Sequence, residues 1–522
     1  MSKKRVCAMG LLFVFVIVLS ACSAVNDAMQ TETVRSAPEQ NHPSQTAIAP
    51  EQSVPGHGSN AAGEEISINL VRRGITDEQL VEMVASGEIP SNTTTLILSS
   101  NPITDISPLR ELTDLNELSL ASTNIENLAP LSDLPRLTSL TLNALYPLTD
   151  FTPLSELTSL TTLRLNGNIQ GFDLSVVSAL RNLETLEINN SSITDITPLV
   201  GLRNLRTLRM ELNRVSNFSA LSELRKLEVL HIGRSDFSDL TLISELNNLR
   251  VLDLDRTNVF DITPLRYLRN LEILNLHQNR IDDLTPLVGL SNLTSLNLRN
   301  TSITDLEPLS ALRNIKTLDI VGIQAADIDV VLGLPYLTSL SLFSNQCTIL
   351  ERLEELRHLT ELSLITHRDA DLTPLSNIAN LTSLSLSNAE SFQLEQVGAL
   401  INLTSLSVQN IFHDVDITAL SRLTNLITLD LSGSQIVDIT PLGGLTNLER
   451  LDLNRTGLID LTPLKGLTSL RILSISNNYI TDLSPLSELS ELRSVTLFHN
   501  PISEQSISEL RSALPETQIN SF

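Results

Sequence analysis

The chain has 522 residues, with 60 acidic against 35 basic side chains and a formal net charge of −25. That surplus repels nucleic acid, and no Lys/Arg run supplies a separate basic patch, so a nucleic-acid partner is excluded from the reading. Three cysteines are too few for a disulfide scaffold, and 3% aromatics without Trp leave little to stack on bases or sugars.

The first segment, residues 1–21, reads as a secretory signal peptide. Lys3, Lys4 and Arg5 form a positive start, and Leu11 to Leu19 is an unbroken apolar run. That run is shorter than the roughly 20 residues needed to span a bilayer. Leu19-Ser20-Ala21-Cys22 follows, small residues before a cysteine as in the bacterial lipobox. Cys22 is therefore the expected lipidation site, and a diacyl anchor there holds a chain on a membrane without spanning it. The expected location is the cell envelope, lipid-anchored and exposed outside the cytoplasm. Residues 22–63 read as a disordered tether, rich in Ala, Ser, Gln, Glu and Pro and nearly without large apolar residues.

Residues 64–92 have the marks of an N-terminal cap. Ile66, Ile68 and Leu70 alternate as a strand. Thr76 and Gln79 form a capping box with Ile75 and Leu80 as its hydrophobic staple, and Gly87 ends the helix that follows.

From residue 93 to about 502 the sequence copies itself every 22 residues, about 19 times, with single insertions in the units starting at Leu137, Leu160 and Leu403. Each unit reads L-x-x-L-x-L-x-x-N-x-I-x-D-I/L-x-P-L. The L-x-L pair alternates with period two and predicts a short strand. The Asn that follows is suited to bonding turn backbone. In D-I-T-P-L, the Thr hydroxyl is expected to cap a short 3₁₀ or helical turn started by Pro. One unit cannot close its own core, so units must stack. The expected fold is an α/β repeat solenoid: a curved leucine-rich-repeat horseshoe with a parallel sheet on the concave face and short turns on the convex face. Residues 503–522 supply the other cap, with Ile507, Leu510 and Leu514 on an amphipathic helix, then Pro515 and a last strand.

Asn101 to Leu109 (NPITDISPL), Asn279 to Leu287 (NRIDDLTPL) and Asn478 to Leu486 (NYITDLSPL) are clear copies of the unit. They resemble the 22-residue repeats of internalins and related bacterial leucine-rich-repeat proteins. The resemblance implies a protein ligand and, for internalins, contact with host receptors.

No catalytic signature is present: no H-E-x-x-H, Walker loop, G-x-S-x-G or C-x-x-C. Cys347 occupies a core position of its unit and is expected to be a small buried apolar residue. The Asp column (Asp105, Asp195, Asp261, Asp283, Asp438, Asp460, Asp482) precedes the same turn each time, which favours capping over calcium. His231 and His277 lie two units apart, too far for one zinc, so neither metal nor cofactor is expected.

Positions on the concave side where repetition imposes nothing are the informative ones. In the middle units these are Arg209, Glu211, His231, Arg234, Asp253, Asp255, Arg256, Asn275, His277, Asn297 and Arg299. Later units offer a bland serine strip, Ser383, Ser385, Ser387, Ser405 and Ser407. Phe343 and Ile365, with Val321 one unit earlier, place apolar side chains at concave positions elsewhere held by Ser or Asn. The expected function is a membrane-anchored bacterial surface protein, a monomer and not an enzyme, that binds a protein through this face. The alternative is an envelope-organising protein without a dedicated ligand.

Overall fold

The computed structural model describes residues 65–521 except 145–147, 168–171, 324–328, 344–349, 366–370, 388–393, 410 and 412–414. Cys22 and Cys347 lie outside the described residues. The strands form one parallel sheet of 21, each paired with the next in chain order, from β1 (Ile66–Asn69) and β2 (Thr93–Ile97) through β20 (Ser494–Thr496) to β21 (Gln518–Asn520). The repeats supply β2 to β20 and the two ends supply β1 and β21. The sheet does not close, and the result is a curved leucine-rich-repeat solenoid. None of the described helices is long and apolar enough to cross a membrane.

Three recurring devices build each turn. Both leucines of L-x-L point inward, and Leu208, Leu230, Leu252, Leu274 and Leu296 are all buried in a single continuous core. The polar residue after them, Asn in some units and Thr or Ser in others, is buried, and where it is Asn it is fully used. Asn279 donates through Nδ2 to the Leu254 carbonyl of the preceding unit (2.7 Å) and to Leu276 (3.1 Å), while its Oδ1 accepts from the Val259 N–H (2.9 Å). A polar side chain survives in the core because its donors and its acceptor all have partners, mostly backbone groups. The third device is a left-handed residue before that buried polar position, as at Arg234, Arg256, Gln278 and Asn300, each with φ between 53° and 55°.

The 3₁₀ turn differs from expectation in its cap. Thr is its first residue rather than its cap, as at Thr263–Tyr267, and Asp261 Oδ1 accepts the Thr263 N–H (2.8 Å). Asp195, Asp283, Asp438, Asp460 and Asp482 do the same for their own turns. Proline removes a donor at a position that needs none, and the carboxylate supplies the acceptor one step earlier. The Asp column is thus structural.

A second asparagine column went unread in the sequence. In the L-x-N-L segment, Asn248, Asn270, Asn292 and Asn314 each donate through Nδ2 to a carbonyl of the preceding unit, at 2.7–3.2 Å.

The ends are sealed. Helix α1 (Asp77–Ser86) carries the reciprocal Thr76/Gln79 capping box and ends on Gly87 in the left-handed conformation. Helix α2 (Glu504–Ala513) starts from Ser503, whose side chain accepts the Ser506 N–H, and it buries Ile507 and Leu510 on the last turn of the solenoid.

Candidate functional site

The register sorts the candidates into ladders. The outward residue of L-x-L gives the first: Arg209 on β7 (Thr207–Arg209), His231 on β8 (Val229–His231), Asp253 on β9 (Val251–Asp253), Asn275 on β10 (Ile273–Asn275) and Asn297 on β11 (Ser295–Asn297) are successive cross-strand partners. Asp319 on β12 (Thr317–Asp319) extends it. Two residues further along, Glu211, Gly233, Asp255, His277 and Arg299 form the second ladder, and Arg234 and Arg256 lie beside it on the left-handed turns, both exposed. The candidates from Arg209 to Arg299 therefore share one face.

They are not equally free. Asp253, Asn275, Asn297 and Asp319 each use Oδ1 to accept the backbone N–H two residues on, at 2.9–3.1 Å. That bond ends the strand, so these side chains have a structural duty and offer only their second polar atom outward. Asn275 Nδ2 spends part of that capacity on Asp253, at 3.1 Å from both oxygens.

Two clusters result. In the first, His231 Nδ1 lies 3.2 Å from Glu211 Oε1, 3.8 Å from Asp253 Oδ2 and 3.2 Å from Arg209 Nη1. Burial pushes the Asp253 carboxyl above its ordinary value, against the hydrogen bonds from the Asp255 N–H and Asn275. In the second, Asp255 gathers an imidazole and two guanidinium groups: His277 Nδ1 at 2.9 Å, Arg234 Nε at 3.3 Å and Arg256 Nε at 3.8 Å. Burial alone would raise Asp255, but His277 and Arg234, with the charge of Arg256, outweigh it and hold the carboxyl below its usual range. Arg299 leans toward Asp319 at 3.8 Å, and burial raises Asp319 as well. The two histidines serve separate clusters.

The charged ladder reaches further back than the middle units. Arg164 and Glu187, cross-strand partners that pair at 3.2 Å, occupy the same column as Arg209. Neither they nor Asp319 was selected from the sequence, although counting by whole repeats from Arg209 and Asn297 reaches all three.

Phe343 on β13 (Ser339–Phe343) and Ile365 on β14 (Glu361–Ile365) are direct cross-strand partners and half-buried. They form a small apolar pair. Val321 does not join them, because it is buried.

Fold and face together define a leucine-rich-repeat protein with a polar, charge-structured concave wall. Residues 291–332, 424–466 and 468–512 match the family model described as leucine rich repeats (2 copies). Comparison with curated protein sequences gave no match. Among solved structures the chain is similar to the internalin InlF of Listeria monocytogenes, with 30% identity over 61% of this chain and 87% of that one and a TM-score of 0.40. It is also similar to the internalin InlC2 of Listeria monocytogenes (29% identity, 40% of this chain, 83% of that one, TM-score 0.32) and to a leucine-rich-repeat protein of Leptospira interrogans (21% identity, 85% and 99%, TM-score 0.37). The chain belongs to the bacterial leucine-rich-repeat proteins with internalin-like repeats.

Proposed function

We propose that this protein is held at the bacterial cell envelope by a lipid on Cys22 and binds a protein ligand through the concave face of its solenoid. The observation that carries the reading is the contrast along that face. From β7 to β12 the outward positions hold a graded set of carboxylates, imidazoles and guanidinium groups, whereas β15 (Ser383–Ser387) and β16 (Ser405–Gln409) present mostly serine. Stacking requires the inward leucines, the buried polar column and one oxygen each of Asp253, Asn275, Asn297 and Asp319, and it leaves the other outward polar atoms open. Family membership supports a binding role over an enzymatic one.

Charged pairs on such a wall set specificity and association rate more than raw affinity. Arg234 and Arg256 are the outermost charges, with side chains 48% and 49% exposed. The double substitution Arg234→Glu/Arg256→Glu abolishes ligand capture from the native envelope while the circular dichroism spectrum and melting temperature stay those of the wild type. Full capture by that variant would contradict the concave-face reading.

A further inference from the structure

We propose that Glu211, His231 and Asp253 form a binding site for one divalent transition-metal ion of the zinc class on the concave wall. The spacing that sets His231 and His277 apart bears only on histidine pairs; here the partners of His231 are carboxylates from the flanking units. One ligand atom from each of the three residues lies within 4.8 Å of the others, the single such group among the described residues. Zinc bonds of about 2.1 Å in a tetrahedron place neighbouring ligand atoms about 3.4 Å apart. The separations from His231 Nδ1 are 3.2 Å to Glu211 and 3.8 Å to Asp253.

The ring of His231 supplies an independent argument. Its Nδ1 sits 3.2 Å from Glu211 Oε1, an acceptor, and 3.2 Å from Arg209 Nη1, a donor. No tautomer satisfies both, because one nitrogen cannot donate and accept through the same position. The other nitrogen, Nε2, is buried without a hydrogen-bond partner. A cation on Nδ1 takes its lone pair and the charge of both carboxylates, which resolves the conflict at that nitrogen; Nε2 is without a partner in either state and does not bear on the site.

The surroundings hold the ligands in place. Asp253 Oδ1 is occupied by the Asp255 N–H at 2.9 Å, which turns Oδ2 toward His231. Outer bonds of this kind orient ligands in metal sites. Gly233, between Glu211 and Asp255 in the second ladder, leaves room here: a Cβ at that position would stand 3.1 Å from the Asp255 carbonyl and 3.4 Å from Asp253 Oδ1, tight contacts that press on the Asp253 carboxylate. One imidazole and two carboxylates suit zinc, cobalt or manganese; calcium needs six to eight oxygens. Arg209 is the rival occupant, and its guanidinium must swing aside when the ion enters. Three protein ligands leave a coordination position open to solvent on the binding wall. Its completion by a side chain of the protein ligand rests on the function proposed above; the metal site itself does not.

The test titrates zinc chloride and, separately, cobalt chloride into the metal-stripped full-length protein with no protein ligand present. Calorimetry gives stoichiometry and affinity, and the cobalt visible spectrum reports coordination. The expected result is one ion per chain whose affinity falls at least about a hundredfold in both Glu211→Gln and Asp253→Asn, changes that keep the shape and, at 253, the Oδ1 cap. Arg209→Gln binds more tightly than wild type, and calcium chloride gives no signal at this site. Absence of binding by the wild type, or equal cobalt binding by wild type and both variants with unchanged circular dichroism, would overturn the site. Loss of ligand capture in the Arg234→Glu/Arg256→Glu variant is a separate readout, so either result can fail without the other.

Discussion

Asp430 and Asp452 are direct cross-strand partners on β17 (Thr428–Asp430) and β18 (Arg450–Asp452), two carboxylates stacked on one face of the sheet. Burial raises the Asp452 pKa to about 6, against the Asn454 N–H that bonds it, and the Asp430 charge adds to the rise. Asp430 is held by Ser407 and Gln409, which both donate to its Oδ2.

The pH dependence follows from the direction of that shift. A carboxyl raised in the folded state favours folding while protonated, so its contribution is full below the unfolded pKa of about 3.9 and is lost as pH rises through about 6. Asp452→Asn keeps the Oδ1 acceptor without the charge. Its melting temperature exceeds that of the wild type more at pH 8 than at pH 4, measured by thermal denaturation; a gap independent of pH would contradict the assignment.

Where a repeat carries a buried asparagine, that side chain is a polar anchor of the stack. Asn279→Ala strands the Leu276 carbonyl and the Val259 N–H inside the stack and leaves the Leu254 carbonyl only its bond from the Thr257 hydroxyl. Unpartnered buried groups cost about 1–3 kcal/mol each, so a loss of about 3 kcal/mol is expected in urea denaturation. The exposed Ser291→Ala, ahead of the next strand, serves as control and stays within about 0.5 kcal/mol.

Capping by the Asp column predicts a smaller, repeated effect. Asp261→Ala removes the acceptor for Thr263 and costs about 1 kcal/mol, whereas Asp261→Asn, which keeps it, costs less. Calcium addition leaves the melting temperature of both unchanged. A calcium-dependent rise in the wild type alone would show that the column binds the ion.

Lipid anchoring predicts a change of compartment. Cys22→Ser moves the protein from the membrane fraction to the soluble fraction and abolishes incorporation of labelled palmitate. Membrane retention of that variant would assign attachment to another segment.

Much of the fold was legible because stacking repeats one local pattern. L-x-L, the following Asn, and the two capped ends each state their structure within a few residues. The cap of the 3₁₀ turn was misread between Thr263 and Asp261, since both types cap helices and only the backbone shows which one precedes the turn. At the candidate site, the shared face of Arg209, His231 and Asp253 follows from the 22-residue period. The convergence of Glu211 on His231 does not, because it joins two different ladders through side-chain rotamers. Nor does the pattern show that Asp253, Asn275 and Asn297 have already committed one oxygen to the backbone. Those bonds depend on how the chain leaves the strand, which spacing alone does not encode.

The central claim is that the charged middle of the concave wall contacts another protein. The most direct measurement places a photo-crosslinking amino acid at position 256 in one variant and at position 385 in another, activates both in intact cells, and identifies adducts by mass spectrometry. The account predicts one dominant protein adduct from position 256 and none from position 385 in the serine strip. Equal labelling from the two positions, or none from position 256, would contradict it.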